Sequence, residues 1–457
     1  MTERIEIPIW LFVLILAFAA VTFASHFLFP SVRWFLRRRM ERVVARLNTR
    51  LARPIQPFKL ARRTDMIQRL VYDPAVTEAI VDHAREHGLR EDVAFEQAKR
   101  YAREIVPSFS ATAYFGFAIR AARLLARFLY HVRLGRYDKE TLDNVDPDAT
   151  LIFVINHRSN MDYVLVTYLA ASQSALSYAV GEWARVWPLS RLIRAMGAYF
   201  IRRKDAGPLY RRVLARYVAM ATQGGVAQAM FPEGGLSLDG ALAPPRMGLL
   251  KYITDGWQPD GRDVVFVPVA LNYDRVLEDR VLLDAHRSGT RRFRARIGEA
   301  LRFGLSYLLR RATGRVQKFG YAAVSFGTPL SLNAHVAAHG ADPEPLALEL
   351  MERIGAVVPV LPVPLLSLVL RDGVARDRDA LREAVDAELG CLALPPEHAV
   401  HCAPDEVVAA GLDVLLRRSL VQETPEGQIR VDPAHIDVLA YYANSISHLE
   451  RRNSATA

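Results

Sequence analysis

Apolar residues along this chain follow two spacings: short unbroken runs, and repeats every three or four positions. Residues 151–155, Leu-Ile-Phe-Val-Ile, are five apolar positions in a row, mostly β-branched or aromatic, which predicts a buried strand. Residues 226–231 and 264–271 repeat that pattern. The latter contains Pro268, whose missing N–H implies an edge strand or a bulge. A fourth run over 198–201 ends in Arg202, Arg203 and Lys204, and residues 320–329 read as the last strand. Helical spacing fills the intervals. Short helices cover 60–108, interrupted at Asp73-Pro74 and Gly88, and residues 111–132 form a core or interfacial helix. Arg120, Arg123 and Arg127 argue against a membrane span there. Strands alternating with helices predict an α/β fold. Beyond residue 330 the chain is helical. Residues 357–370 are apolar but too short and Pro-rich to cross a membrane. Residues 420–431 read as a hairpin with Gly427 in its turn, and His448 reads as a packed histidine on an apolar helix.

The first apolar stretch is of another kind. Residues 7–24 carry no charge, and about 20 residues suffice to cross a hydrocarbon core of about 30 Å. Glu3 and Glu6 offset Arg4, so the basic start of a signal peptide is missing and the reading is a retained transmembrane anchor. Residues 31–64 hold 11 Lys or Arg against Glu41, an excess equal to the +10 of the whole chain. Basic charge beside a span points to the cytoplasmic face of the membrane, and a nucleic-acid partner is not implied. Val32, Leu36, Met40, Val43, Leu47 and Leu51 recur at helical spacing. Such a helix can lie on anionic phospholipid, each basic residue adding about 1 kcal/mol. Two cysteines in 457 residues, Cys391 and Cys402, exclude a disulfide framework.

Candidate chemistry follows the strands. His157 comes just after the first, and Asp162 lies five residues on. On a regular helix such positions diverge by about 140°, so the two meet only where the chain turns and Asp162 opens a helix. A histidine that donates one nitrogen's proton to a carboxylate is a general base of fixed tautomer. A plain strand-to-helix turn with a capping Asp is the alternative. Arg202, Arg203 and Lys204 suit a phosphate, although strand alternation lets only Arg202 and Lys204 share a face. A solvated strand end is the alternative. Pro232-Glu233-Gly234-Gly235 follows the next run. Paired glycines let backbone N–H groups approach an anion, Glu233 can hold a hydroxyl, and Ser237 and Arg246 add polar reach. An ordinary turn serves equally.

In order and spacing these stretches resemble the four motifs of the glycerolipid acyltransferases. Asn156-His157-Arg158-Ser159-Asn160-Met161-Asp162-Tyr163 is similar to the first motif and Phe200-Ile201-Arg202-Arg203 to the second. Pro232-Glu233-Gly234-Gly235 is similar to the third and Val267-Pro268 to the fourth. The form of the first motif, with residues 273–278 and 439–449, resembles the branch of bacterial membrane glycerol-3-phosphate acyltransferases and dihydroxyacetone-phosphate acyltransferases. The likeness covers roughly residues 65–455.

That resemblance implies a mixed sheet flanked by helices, with helical N- and C-terminal extensions. It implies acyl transfer from acyl-CoA or acyl carrier protein to the sn-1 hydroxyl of glycerol 3-phosphate, without cofactor, metal or acyl-enzyme. His157 would take the hydroxyl proton and Asp162 would orient and stabilise the imidazolium. Arg158, Ser159, Arg202, Arg203, Lys204, Glu233, Gly234, Gly235, Ser237 and Arg246 would contact substrate. Where the family commonly reads Arg-Ser-Arg-Thr-Gly, this chain has Leu236-Ser237-Leu238-Asp239-Gly240. The alternative acceptors are therefore lysophosphatidate, dihydroxyacetone phosphate or another lipid alcohol. A serine hydrolase would need a closing glycine that Gly235-Leu236-Ser237-Leu238-Asp239 lacks, and a silent scaffold would not need the His157–Asp162 pair. The expected organisation is an anchor over 1–30, a basic amphipathic and helical region over 31–137, an acyltransferase domain over 138–330, and a helical C-terminal region over 331–457 without catalytic role.

Overall fold

The computed structural model describes residues 8–10, 13–16, 38–39, 41–51, 53–137, 139–169, 175–181, 189–202, 206–289, 317–392 and 403–450. They belong to two compact units, Met1–Ile55 and Gln56–Ala457. In the first, residues 41–48 are helical, with Val43, Val44, Leu47 and Asn48 the less exposed positions, an amphipathic spacing. Most of the expected span over 7–24 lies outside the described residues. Residues 9–10 and 13–16 are helical there, with Ile9, Trp10 and Leu14 exposed. Among the described residues no helix is long and apolar enough to cross a membrane.

The second unit is organised on one sheet. Its strands are β1 (His131–Leu134), β2 (Thr150–Ile155), β3 (Ser177–Val180), β4 (Tyr199–Phe200), β5 (Gln228–Met230), β6 (Val264–Tyr273), β7 (Tyr321–Phe326) and β8 (Leu330–Ser331). They run in the order β1-β7-β6-β2-β5-β3-β4, with β8 also on β6. Every pair is parallel except β6–β7 and β6–β8, so the sheet is mixed as expected. β2 and β6 are buried at every position, which is why they read as unbroken apolar runs.

Pro268 is on neither an edge nor a bulge. It sits in central β6, opposite Val154 of β2. Its carbonyl accepts from the Gly327 N–H at 2.8 Å, in the gap between β7 and β8. The N and O of one strand residue point the same way, so the missing donor faces that gap and interrupts no ladder.

Helices cover the sheet. Before and within it come α1 (Arg63–Val71), α2 (Pro74–Glu86), α3 (Glu91–Ile105), α4 (Ile119–Leu129, entered through a π-helical turn over Thr112–Ala118), α5 (Asp162–Leu169) and α6 (Pro208–Gln223). Between β6 and β7 comes α7 (Asp279–Ser288), and after the sheet come α8 (Pro343–Gly355), α9 (Pro362–Val369), α10 (Arg378–Leu392), α11 (Pro404–Arg417) and α12 (Ile436–Asn444). Asp73 caps α2 by accepting from the Ala75 N–H at 3.1 Å, and Arg216 of α6 pairs with the same carboxylate. All eight residues of α9 are buried, against α10, α11 and α12, which explains an apolar stretch too short for a membrane. The predicted hairpin is present as β9 (Val421–Glu423) and β10 (Ile429–Val431), with Gly427 at φ +77°.

Because β2, β3, β4, β5 and β6 run parallel, the segments that leave their C-terminal ends share one rim. In open α/β sheets that rim is where sites are built.

Candidate active site

Asn156 ends β2 by copying a strand residue with its side chain. Its Nδ2 donates to the Leu271 carbonyl at 3.0 Å, and its Oδ1 accepts from the Leu271 N–H at 2.7 Å. The chain then turns, and Asp162 opens α5 as the spacing required. His157 Nδ1 lies 2.9 Å from Asp162 Oδ2, with both side chains buried. The imidazole stacks on Phe231 with ring centroids 4.0 Å apart. Asp162 Oδ2 also accepts from the N–H groups of Arg158 at 2.7 Å and Ser159 at 3.0 Å, and Oδ1 accepts from Tyr273 Oη at 2.6 Å. Four donors thus converge on one carboxylate at the first residue of α5 and fix its orientation toward the imidazole. With the Nδ1 proton directed at that carboxylate, Nε2 is the basic nitrogen, and it has no hydrogen-bond partner among the described residues.

Much of what surrounds the pair holds backbone rather than offering itself to a ligand. Glu278 accepts from Ser159 Oγ at 2.8 Å and from the Asn160 side-chain amide at 3.0 Å. Burial raises its carboxyl above the usual range, opposed by those donors. Glu233 accepts from the His157 N–H at 2.8 Å and the Ala243 N–H at 3.0 Å, so it joins the two loops rather than presenting an open carboxylate. The Ser237 N–H donates to the His157 carbonyl at 2.9 Å, and its hydroxyl bonds to Ala241 O at 2.7 Å within its own loop. Arg158 is 1% exposed. Its Nη1 donates to the Gly240 carbonyl at 2.7 Å and its guanidinium lies 5.7 Å from the Tyr441 ring centre, while Nε and Nη2 make no hydrogen bond. Four positions expected at the substrate, Arg158, Ser159, Glu233 and Ser237, are therefore buried framework.

The C-terminal region reaches this framework. Asn444 Nδ2 donates to the Asp239 carbonyl at 3.0 Å, and a Cβ on Gly240 would fall 1.8 Å from the Tyr441 carbonyl oxygen. Tyr442 Oη donates to Asp279 at 2.6 Å, beside Arg418 on the same carboxylate. The region expected to be helical and without catalytic role thus packs directly on the loops of the site.

Two buried carboxyls make a pH prediction. Burial pushes Glu233 from 4.5 up to about 7. Burial likewise pushes Asp274 from 3.8 up to about 7, although it accepts from the N–H groups of Tyr321 and Val363. The folded state holds both protons more tightly than the unfolded chain does. Their contribution to stability is therefore complete at low pH and declines as pH rises from about 4 through 7. Calorimetric melting across that window should show a shallower decline for Glu233→Gln and for Asp274→Asn than for wild type. An unchanged slope in both variants would remove these groups from the account.

Of the cations expected at a phosphate, Arg203 and Lys204 lie outside the described residues. β4 ends at Phe200, so strand alternation no longer governs Arg202. Arg202 is instead bidentate on Glu104 of α3, at 2.8 and 2.7 Å, with its guanidinium 5.1 Å from the Tyr101 ring centre. A half-buried fork of this kind stabilises by about 1 kcal/mol or somewhat more. Arg202→Ala should lower the urea midpoint and leave the kinetics of a phosphorylated acceptor nearly unchanged. A tenfold rise in acceptor KM would mean that the pair opens to take phosphate. Arg246 is different. It is exposed, it has no carboxylate partner among the described residues, and its side chain crosses Gly234, where a Cβ would lie 2.6 Å from its Cδ. Gly234 sits at φ +68°, and Gly235 beside it is buried.

Tyr273 and Glu278 were not foreseen as parts of the site. A signal existed: Tyr273 ends β6, the parallel neighbour of β2, and Glu278 follows it, so both must reach the rim where His157 stands.

Residues 136–272 match the Acyltransferase family, and residues 304–457 match the glycerol-3-phosphate acyltransferase C-terminal region. Proteins named glycerol-3-phosphate acyltransferase are similar over most of the chain. The one from Aeromonas hydrophila is 29% identical over 86% of this chain and 50% of its own length. One from Pseudomonas putida is 26% identical over 85% and 49%, and one from Xylella fastidiosa is 27% identical over 90% and 50%. The chain spans about half the length of these curated relatives. A crystal structure of the 1-acyl-sn-glycerophosphate acyltransferase PlsC from Thermotoga maritima aligns at 16% identity over 53% of this chain and 76% of that one. Its TM-score of 0.32 is too low to carry an argument. The two family matches fall on the strands that hold the His157–Asp162 pair and on the helices that close over it, so the chain is similar to glycerol-3-phosphate acyltransferases in both of its matched regions.

Proposed function

We propose that this chain transfers an acyl group from acyl-CoA or acyl carrier protein to the sn-1 hydroxyl of glycerol 3-phosphate. The observation that carries the reading is the imidazole held through Nδ1 at 2.9 Å by a four-fold bonded carboxylate, with Nε2 free to accept. Nε2 takes the hydroxyl proton as the oxygen attacks the thioester carbonyl, and Asp162 stabilises the imidazolium. The tetrahedral intermediate collapses with loss of the thiolate, which recovers the proton from Nε2. Ester and thiol are the products, and the histidine returns to its starting state. Arg246 and the backbone of Gly234 and Gly235 hold the acceptor phosphate, and Arg203 and Lys204 keep the phosphate-binding role that their charge suggests. Residues 7–24 anchor the protein once through the membrane, with the catalytic unit on the cytoplasmic side and residues 31–64 against anionic phospholipid.

The test is an acceptor panel on the purified protein with labelled acyl-CoA and acyl carrier protein. Glycerol 3-phosphate should be acylated at sn-1 in preference to lysophosphatidate, dihydroxyacetone phosphate and glycerol. A preference for lysophosphatidate, or equal use of glycerol, would overturn the assignment. Hydrogen bonds to charged groups contribute about 1.5–3 kcal/mol each, so Arg246→Ala should raise the acceptor KM at least about tenfold with donor KM nearly unchanged.

A further inference from the structure

α4 is apolar on two faces. Ile119, Ala122, Ala126 and Leu129 are buried against the protein, as one side of an amphipathic helix must be. On the other side Leu124 is 72% exposed and Leu125 42%, with Phe117 58% exposed one turn before the helix. Ala121 and Phe128 lie one turn either side of Leu124 and are half-buried. Most other exposed apolar residues in this unit, such as Val374 and Leu348, stand singly, which is ordinary, whereas this stripe is continuous.

Charge identifies what covers it. Arg120, Arg123 and Arg127 flank the stripe and are exposed, and residues 105–137 contain no Asp or Glu at all. An acidic protein would use the arginines and leave Phe117 and Leu124 in water. A membrane surface uses both: anionic headgroups meet the cations and the acyl boundary takes the apolar side chains. We propose that the outer face of α4 and the turn before it is a docking surface for an anionic phospholipid bilayer, separate from the N-terminal segment. The face is braced on the catalytic framework. Arg127 Nε donates to Tyr168 Oη at 3.1 Å, and Arg123 lies 5.3 Å from the Tyr168 ring centre. Tyr168 is six residues along α5 from Asp162, about 9 Å of helix axis. A docked α4 therefore sets the bilayer one short helix away from the His157–Asp162 pair. The docking does not depend on the acyl-transfer reading.

The full chain with Cys391→Ser and Cys402→Ser can carry a nitroxide at Leu124→Cys, at Phe117→Cys or, as a control, at Val374→Cys, and collisions with oxygen and a water-soluble nickel complex can be measured. With phosphatidylglycerol vesicles, collisions at 117 and 124 should shift from nickel to oxygen, while 374 stays aqueous. The shift should be lost when Arg120→Glu is added and should be weaker on phosphatidylcholine. Label 124 remaining in water on vesicle-bound protein overturns the proposal. So does a label already shielded before vesicles are added, or one that responds to acyl carrier protein and not to vesicles. Acyl transfer is assayed separately on the same proteins, so an inactive protein that shows the shift refutes the reaction and not the docking.

Discussion

Replacing His157 by Ala should lower acyl transfer by about 10²–10⁴-fold, the range that general-base assistance supplies. The substitution takes away the imidazole nitrogen that the proposed mechanism uses to accept the hydroxyl proton. It leaves Asp162 with three of its donors, the N–H groups of Arg158 and Ser159 and the Tyr273 hydroxyl. The carboxylate and the start of α5 therefore stay in place, and circular dichroism should show a folded protein. Asp162→Asn should also lower the rate strongly, and it tests more than charge, because an amide cannot accept at both oxygen positions. Tyr273→Phe separates those effects by removing one hydrogen bond and nothing else. It should lower kcat by about tenfold while acceptor KM holds. Wild-type turnover from folded His157→Ala protein would end the mechanism.

Gly240→Ala should destabilise the protein by at least about 3 kcal/mol. A left-handed backbone costs an L-residue about 1–2 kcal/mol, and Gly240 is at φ +88°. The larger part comes from position, because the new Cβ would sit 1.8 Å from the Tyr441 carbonyl oxygen, an overlap that only backbone movement relieves. Gly88 provides the comparison. It has φ +60° with nothing within 4 Å, so Gly88→Ala carries the conformational term alone, about 1 kcal/mol. Urea unfolding of the two variants measures the difference. Equal costs would show that the loop over 236–241 yields freely to α12. A large gap, with activity lost at Gly240→Ala under conditions where it remains folded, would show that the C-terminal helix fixes the loop that contacts His157 and Arg158.

The sheet was legible because its central strands are buried on both faces, and nothing but an unbroken apolar run survives there. The His157–Asp162 pair was legible because its members are five residues apart and the chain between them must turn. What surrounds the pair was not legible at that range. Tyr273 and Glu278 reach residues 159–162 from more than 100 positions away, and Glu104 reaches Arg202 across 98. No local periodicity records such a meeting; it follows only from strand order. Pro268 was misjudged for a related reason. Its sequence shows a missing donor but not the interval between β7 and β8 that the donor would have faced. Arg158, Ser159 and Ser237 look like ligands by residue type, and only burial shows that their polar atoms face the protein.

The order of synthesis gives the packing of α12 a further consequence. A nascent chain emerges N-terminus first, and residues 156–162 leave the ribosome almost 300 residues before Tyr441, Asn444 and Ser445. Until then Gly240 has no wall, Asp279 lacks the Tyr442 hydroxyl, and Asn272 Nδ2 lacks the Ser445 hydroxyl 3.3 Å away. Contacts of such sequence separation close late and slowly. The histidine and its carboxylate are thus made early but framed only once residues 441–445 have emerged, so a shorter nascent chain carries the dyad without the loop geometry that directs it.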